Sequence, residues 1–110
     1  MDECIFCKIV AGELPSKKVY EDEFALAFVN IKPIAETHIM VIPKKHIINL
    51  ETAGEEDAGI LGHVQLAITK AAQKLGIVGA YKIGVNGGKY QEVMHLHYHL
   101  LSGFQEGGDI

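Results

Sequence analysis

The chain has 110 residues, of which 48% are apolar and 22% charged, and its 10 basic and 14 acidic side chains leave a net charge of −4. Those proportions suit one compact domain over residues 1–110, small enough that dimerisation would help bury a core, and they supply no basic stripe to track a nucleic-acid backbone. No apolar run approaches the roughly 18 residues of a membrane span and Met1 to Cys4 is acidic, so the expected chain is cytoplasmic, with neither nucleic acid nor membrane as partner.

Near the start, Cys4 and Cys7 form a C-x-x-C that reads as a metal half-site, a redox pair or core filler. Ile5 to Val10 predicts one or two turns of helix, with Ile5, Phe6 and Ile9 spaced to bury one side and Gly12 as the stop. Lys18 to Tyr20 and Phe24 to Val29 predict two short strands around the turn-prone Glu21-Asp22-Glu23, an antiparallel hairpin. Pro33 marks a loop, and His38 to Ile42 reads as a buried strand ended by Pro43. A long helix is expected from about Glu56 to Leu75, because Ile60, Val64, Ala67, Ile68, Ala71 and Leu75 recur at three- and four-residue steps before Gly76. His63 lies off that stripe and reads as a surface residue. Tyr81 to Val85 predicts a further strand, followed by the glycine-bearing loop Asn86 to Gln91.

The densest signal follows. His95, His97 and His99 alternate with Leu96, Tyr98 and Leu100. In an extended strand the imidazoles would line one face about 6.6 Å apart and the apolar residues the other, so the strand is half core and half chemistry. Imidazole can act as nucleophile, proton shuttle or metal ligand near neutral pH. Three rings projecting in parallel cannot all reach one tetrahedral ion with bonds of about 2.0–2.1 Å, so one or two at most would bind the same metal.

The segment Gln91-Glu92-Val93-Met94-His95-Leu96-His97-Tyr98-His99-Leu100-Leu101 resembles the signature of the histidine triad (HIT) family. Cys4 to Ile9, Glu13-Leu14-Pro15, Ala27-Phe28 and Thr37 to His46 resemble the Hint-like nucleotide-binding branch, in the family's order and over nearly the whole chain. The resemblance implies an α+β fold, a mostly antiparallel sheet of about five strands with one long helix and a short N-terminal helix, pairing as a homodimer. It also implies an enzyme acting at the α-phosphorus of a purine nucleotide phosphoramidate or aminoacyl adenylate through a covalent nucleotidyl-histidine. A dinucleoside polyphosphate hydrolase, a nucleotidyl transferase and a non-catalytic nucleotide-binding module are the competing readings.

Carried onto this sequence, His97 matches the nucleophile, which must be neutral, with its second ring nitrogen held by an acceptor such as a backbone carbonyl. His99 matches the residue that contacts phosphate and protonates the leaving group, an imidazole of near-neutral pKa being suited to that transfer. His38 matches a fourth histidine that supports the nucleophile from the neighbouring strand. Asn86 and Gln91 match positions that donate to phosphate or hold the loop around it. Ile5, Phe6, Ile9, Phe28 and Ile31 match an apolar purine pocket, and Asn30 stands where relatives commonly carry a ribose-binding aspartate. Lys89-Tyr90 replaces small residues, and the tail from Gly103 to Ile110 also departs from relatives. Cys4 and Cys7 with His46 and His95 would complete a structural Cys₂His₂ zinc site of the kind some bacterial HIT proteins resemble, with no organic cofactor implied.

Overall fold

The computed structural model describes residues 4–103. The expected tail therefore lies, beyond Gly103, outside the described residues. Cys4 caps a short helix, α1 (Ile5–Val10), its Sγ accepting from the Cys7 N–H at 3.3 Å. Strands β1 (Lys18–Glu21) and β2 (Ala25–Val29) form the expected hairpin. Asp22 fixes its turn, because Oδ1 accepts from the N–H groups of Phe24 at 2.8 Å and Ala25 at 2.9 Å. Strand β3 (Thr37–Pro43) pairs with β2, and helix α2 (Ala58–Leu75) ends where Gly76 turns left-handed at φ 71°. Strands β4 (Lys82–Val85) and β5 (Tyr98–Ser102) complete a five-stranded antiparallel sheet in the order β1-β2-β3-β5-β4.

Alternation along the strands sorts side chains onto two faces. Ala25, Ala27, Ile39, Val41, Tyr98 and Leu100 join Val64, Ala67, Ile68 and Ala71 of α2 in the main core. Leu26, Phe28, Met40 and Ile42 face the other way and close over Phe6 of α1, with Ile9, Val10 and Val93 against them. The split between Leu96, Tyr98 and Leu100 on one side and the imidazoles on the other holds. The extent of the strand does not: the ladder starts at Tyr98, so His99 alone of the three histidines is paired in the sheet. β3 ends at Pro43, which has no N–H to offer a ladder, and the Leu96 N–H instead donates to the Ile47 carbonyl at 2.7 Å. His63 is exposed, as expected, with its ring stacked on Phe24 at 4.1 Å.

Candidate active site and metal centre

His97 is buried immediately before β5, and its Nδ1 lies 2.8 Å from the backbone carbonyl of His95. A carbonyl can only accept, so the ring proton sits on Nδ1 and the lone pair on Nε2. This is the acceptor that the sequence could not identify. The His97 ring packs edge-on against Phe6 at 5.3 Å and against His99 at 5.2 Å. One aromatic wall and one imidazole thus restrict its rotation.

The partner of His38 differs from expectation. Its Nε2 lies 2.8 Å from Nδ1 of His99, and no hydrogen bond joins it to His97. The register explains this, since Met40 sits opposite His99 and His38 opposite Leu101 on adjacent β3 and β5, bringing the two rings together diagonally across one face. The protons can be placed. The Ile34 N–H donates to Nδ1 of His38 at 3.1 Å, so the His38 proton lies on Nε2 and is donated to Nδ1 of His99. Neutral His99 then carries its own proton on Nε2. Burial first, and then the neighbouring His97 and His38, lower the His99 pKa to about 4, while Glu92 acts in the opposite direction. Burial also lowers that of His38. In the free chain His99 is therefore a neutral donor, not the near-neutral acid that the sequence suggested.

Asn30 lies beside this pair. Its Oδ1 accepts from the Lys32 N–H at 2.7 Å, which turns Nδ2 toward Met40 Sδ at 3.2 Å and His38 Nε2 at 3.3 Å. Gln91 holds structure together: Nε2 donates to the carbonyls of Ile48 at 2.5 Å and Val93 at 2.9 Å, and its buried Oε1 has no partner among the described residues. Asn86 is exposed at the end of β4. Of the expected purine pocket, Phe6 and Phe28 are buried against one another with ring centroids 5.5 Å apart, and Ile9 is half-buried. Ile31, 92% exposed, and Ile5, 46% exposed, lie open to solvent.

A second cluster lies beside Phe6, whose ring centroid is 5.9 Å from that of His95. The ligand atoms of Cys4, Cys7, His46 and His95 all fall within 4.8 Å of one another. Nδ1 of His95 is 3.3 Å from Cys4 Sγ and 3.6 Å from Cys7 Sγ, and Nδ1 of His46 is 3.2 Å from Cys7 Sγ. Zinc–sulfur bonds of about 2.3 Å and zinc–nitrogen bonds of about 2.05 Å at tetrahedral angles imply sulfur–nitrogen edges of roughly 3.5 Å, so the set fits that ion. The fully buried His95 donates Nε2–H to the Pro43 carbonyl at 2.8 Å, which turns the unprotonated Nδ1 toward the thiols. Burial, reinforced by Cys4, raises the Cys7 thiol to about 11, and a bound cation would reverse that cost. His95 thus joins two sites: its ring faces the cysteines and its carbonyl holds His97.

Sequence reasoning missed the Ile34 N–H, the Pro43 carbonyl and Glu92. The first two are backbone groups, invisible to residue type. Glu92 could have been noticed as an acidic residue three positions before the histidines.

The model for the HIT domain matches residues 11–106. The protein HitA of Neisseria gonorrhoeae is 42% identical over 103 residues, covering 92% of this chain and 96% of that one. A HIT family hydrolase from Clostridium thermocellum superposes with a TM-score of 0.93 at 43% identity, over 100% of this chain and 98% of that one. A histidine triad protein from Clostridium difficile superposes with a TM-score of 0.92 at 41% identity, with the same coverages.

Proposed function

The chain belongs to the HIT family, and on that premise we propose that it hydrolyses purine-nucleotide phosphoramidates or the related mixed anhydrides, aminoacyl adenylates, through a nucleotidyl-His97 intermediate. The observation that carries the reading is the bond from His97 Nδ1–H to the His95 carbonyl, which leaves a lone pair on Nε2 beside a second, proton-bearing imidazole. Nε2 attacks the α-phosphorus and the bond to the leaving group breaks: from a phosphoramidate the phosphorus–nitrogen bond, the amine departing with a proton from His99, and from an aminoacyl adenylate the phosphorus–oxygen bond, the carboxylate departing as the anion. Water then attacks phosphorus, the phosphorus–Nε2 bond breaks, the nucleoside monophosphate leaves, and the proton from water returns to His99.

His99 becomes an effective acid only with substrate present. Burial disfavours its cation in the free chain, and an arriving phosphate anion supplies the opposite charge that favours it. His38 fixes the tautomer of neutral His99 by donating to its Nδ1, and protonation of His99 there breaks that bond, a cost the phosphate anion offsets. Phe6 keeps water from one side of His97. Exposed Ile31 and Ile5 would hold the purine, and Asn30, with its amide nitrogen directed inward, offers the ribose a donor where a carboxylate would accept. Asn86, exposed at the start of the loop, would donate to phosphate, while Gln91 keeps that loop in place.

Cys4, Cys7, His46 and His95 would hold a zinc ion, whose contribution is to tie α1 to the sheet. A second copy would pair along the free edge β4 and the outer surface of α2, where Val85 and Leu66 are exposed. Sedimentation equilibrium showing a monomer at micromolar concentration would remove that pairing.

The test is rapid quenching with phosphorus-labelled adenosine 5′-phosphoramidate. Labelled protein should accumulate transiently in the natural chain and be absent in His97→Ala, whose turnover should fall by about a thousandfold or more. Undiminished turnover in that variant would refute the reading.

A further inference from the structure

We propose that Asn30 and the Ile34 peptide are positioning groups that hold the His38–His99 pair uncharged and oriented, with the proton of His99 on Nε2, the nitrogen not bonded to His38. Their bearing on turnover presupposes the hydrolysis proposed above, whereas the state of the pair is a property of the free chain.

Among the described residues three polar groups reach the His38 ring. The Ile34 N–H donates to Nδ1 at 3.1 Å, Nδ1 of His99 lies 2.8 Å from Nε2, and Nδ2 of Asn30 lies 3.3 Å from the same Nε2. The Asn30 amide cannot be turned round, because its Oδ1 accepts from the Lys32 N–H at 2.7 Å and a flip would set one donor against another. Two of the three groups can therefore only donate. A neutral ring with its proton on Nε2 satisfies the Ile34 N–H and His99 together. An imidazolium carries a proton on each nitrogen and would meet the Ile34 N–H head-on at Nδ1, with a second donor, the Asn30 amide, beside Nε2. These donors oppose the cation in the same direction as burial does.

His38 passes the constraint to His99. While the Nε2 proton of His38 is donated to Nδ1 of His99, neutral His99 can hold its own proton only on Nε2. The register of β3 against β5 keeps the two rings together. The other titratable or charged groups around the pair are His97 and Glu92, which act on His99, and Lys82, which pairs with Leu101 and so stands on the same face as His38 and His99. Of these, only Glu92 favours a cation, and it acts on His99.

Position 30 is where a charge would matter most to His38. A carboxylate there would keep one oxygen on the Lys32 N–H and turn the other toward Nε2 of His38, where its charge favours the imidazolium. The amide withholds that charge. His99 thus meets the substrate as a neutral donor of fixed tautomer, and its charging waits for the phosphate.

Two-bond ¹H–¹⁵N NMR of the ligand-free natural chain between about pH 8 and pH 5.5 tests this apart from turnover. His38 and His99 should each show a bare Nδ1 and a protonated Nε2 throughout, with no titration in that interval. Asn30→Asp should raise the first titration of the pair by about one to two units, the scale of one opposite charge at hydrogen-bonding distance. Ile34→Pro, which removes the donor to Nδ1, should mix the two tautomers of His38, whereas Ile34→Ala, which keeps the N–H, should not. In kcat/KM for adenosine 5′-phosphoramidate, Asn30→Asp should introduce an ionisation at the same raised value. A natural chain with His38 protonated on Nδ1, a pair that titrates near the ordinary 6.5, or a titration unmoved in Asn30→Asp overturns the assignment and leaves the hydrolase reading intact. These outcomes do not depend on whether Ile34→Pro folds. Failure of the natural chain to turn over any phosphoramidate defeats the hydrolase reading, while the spectra still decide the state of the pair.

Discussion

On the α2 side of the sheet, Leu100, Val41 and Ile68 are fully buried among other apolar residues, whereas on the α1 side His38, His97 and His95 share the surface with Phe6, Phe28 and Met40. The same strands build both faces, residue by residue in alternation. The first face gains stability by excluding water without hydrogen-bonding demands. The second must give its buried ring nitrogens partners, apart from those left for chemistry, and so fixes tautomers at the cost of desolvation. Substitutions should therefore separate stability from chemistry. Leu100→Ala should destabilise the fold by about 2–5 kcal/mol and lower Tm by roughly 10 °C or more, while turnover per folded molecule stays within about twofold. A loss of turnover in folded Leu100→Ala comparable to that in His97→Ala would show that the two faces do not act independently.

A smaller effect is expected where the second face meets the cysteines. Metal binding to the folded chain alone would stabilise it by about 2.7 kcal/mol at a free concentration a hundred times Kd. Natural protein should contain one zinc ion per chain by elemental analysis, and Cys4→Ser should lose it together with most of that stability. The same variant should also lose turnover by several-fold, because the His95 ring that faces the thiols belongs to the residue whose carbonyl orients His97. Metal-free natural protein with unchanged Tm would eliminate the centre.

The hairpin, β3 and α2 were legible because their signals are local: Asp22 at a turn, Pro43 at a strand end, and a three- and four-residue apolar repeat closed by Gly76. The C-x-x-C and the histidine alternation gave the candidate residues for the same reason. Pairing across the fold was not legible. Whether His38 reaches His97 or His99 depends on the register of β3 against β5, and whether the ladder runs back to His95 depends on the Ile47 carbonyl, distant in sequence. Burial was hidden as well, and it separates the His99 of the folded chain from an ordinary imidazole.

That burial gives the smallest effect and the sharpest comparison of the two faces, since among the described residues the core on the α2 face has no histidine to titrate. The folded-state pKa of His99, about 4, lies below the ordinary value of 6.5, and that of His38 is also lowered. The unfolded chain therefore binds more protons between those limits, so stability is fully present above pH 6.5 and declines as pH falls toward 4. The groups facing His99 are His97, His38 and Glu92, of which only the last favours its cation. Solvent reaches a half-buried ring, which reduces the contribution of His99 to on the order of 1 kcal/mol. Urea unfolding at pH 7 and pH 5 should show the natural chain losing about that much more stability than His99→Gln over the interval. An equal loss in both would mean that the His99 ring is as well solvated in the folded chain as in the unfolded one, and that its neutral state is not imposed by the sheet.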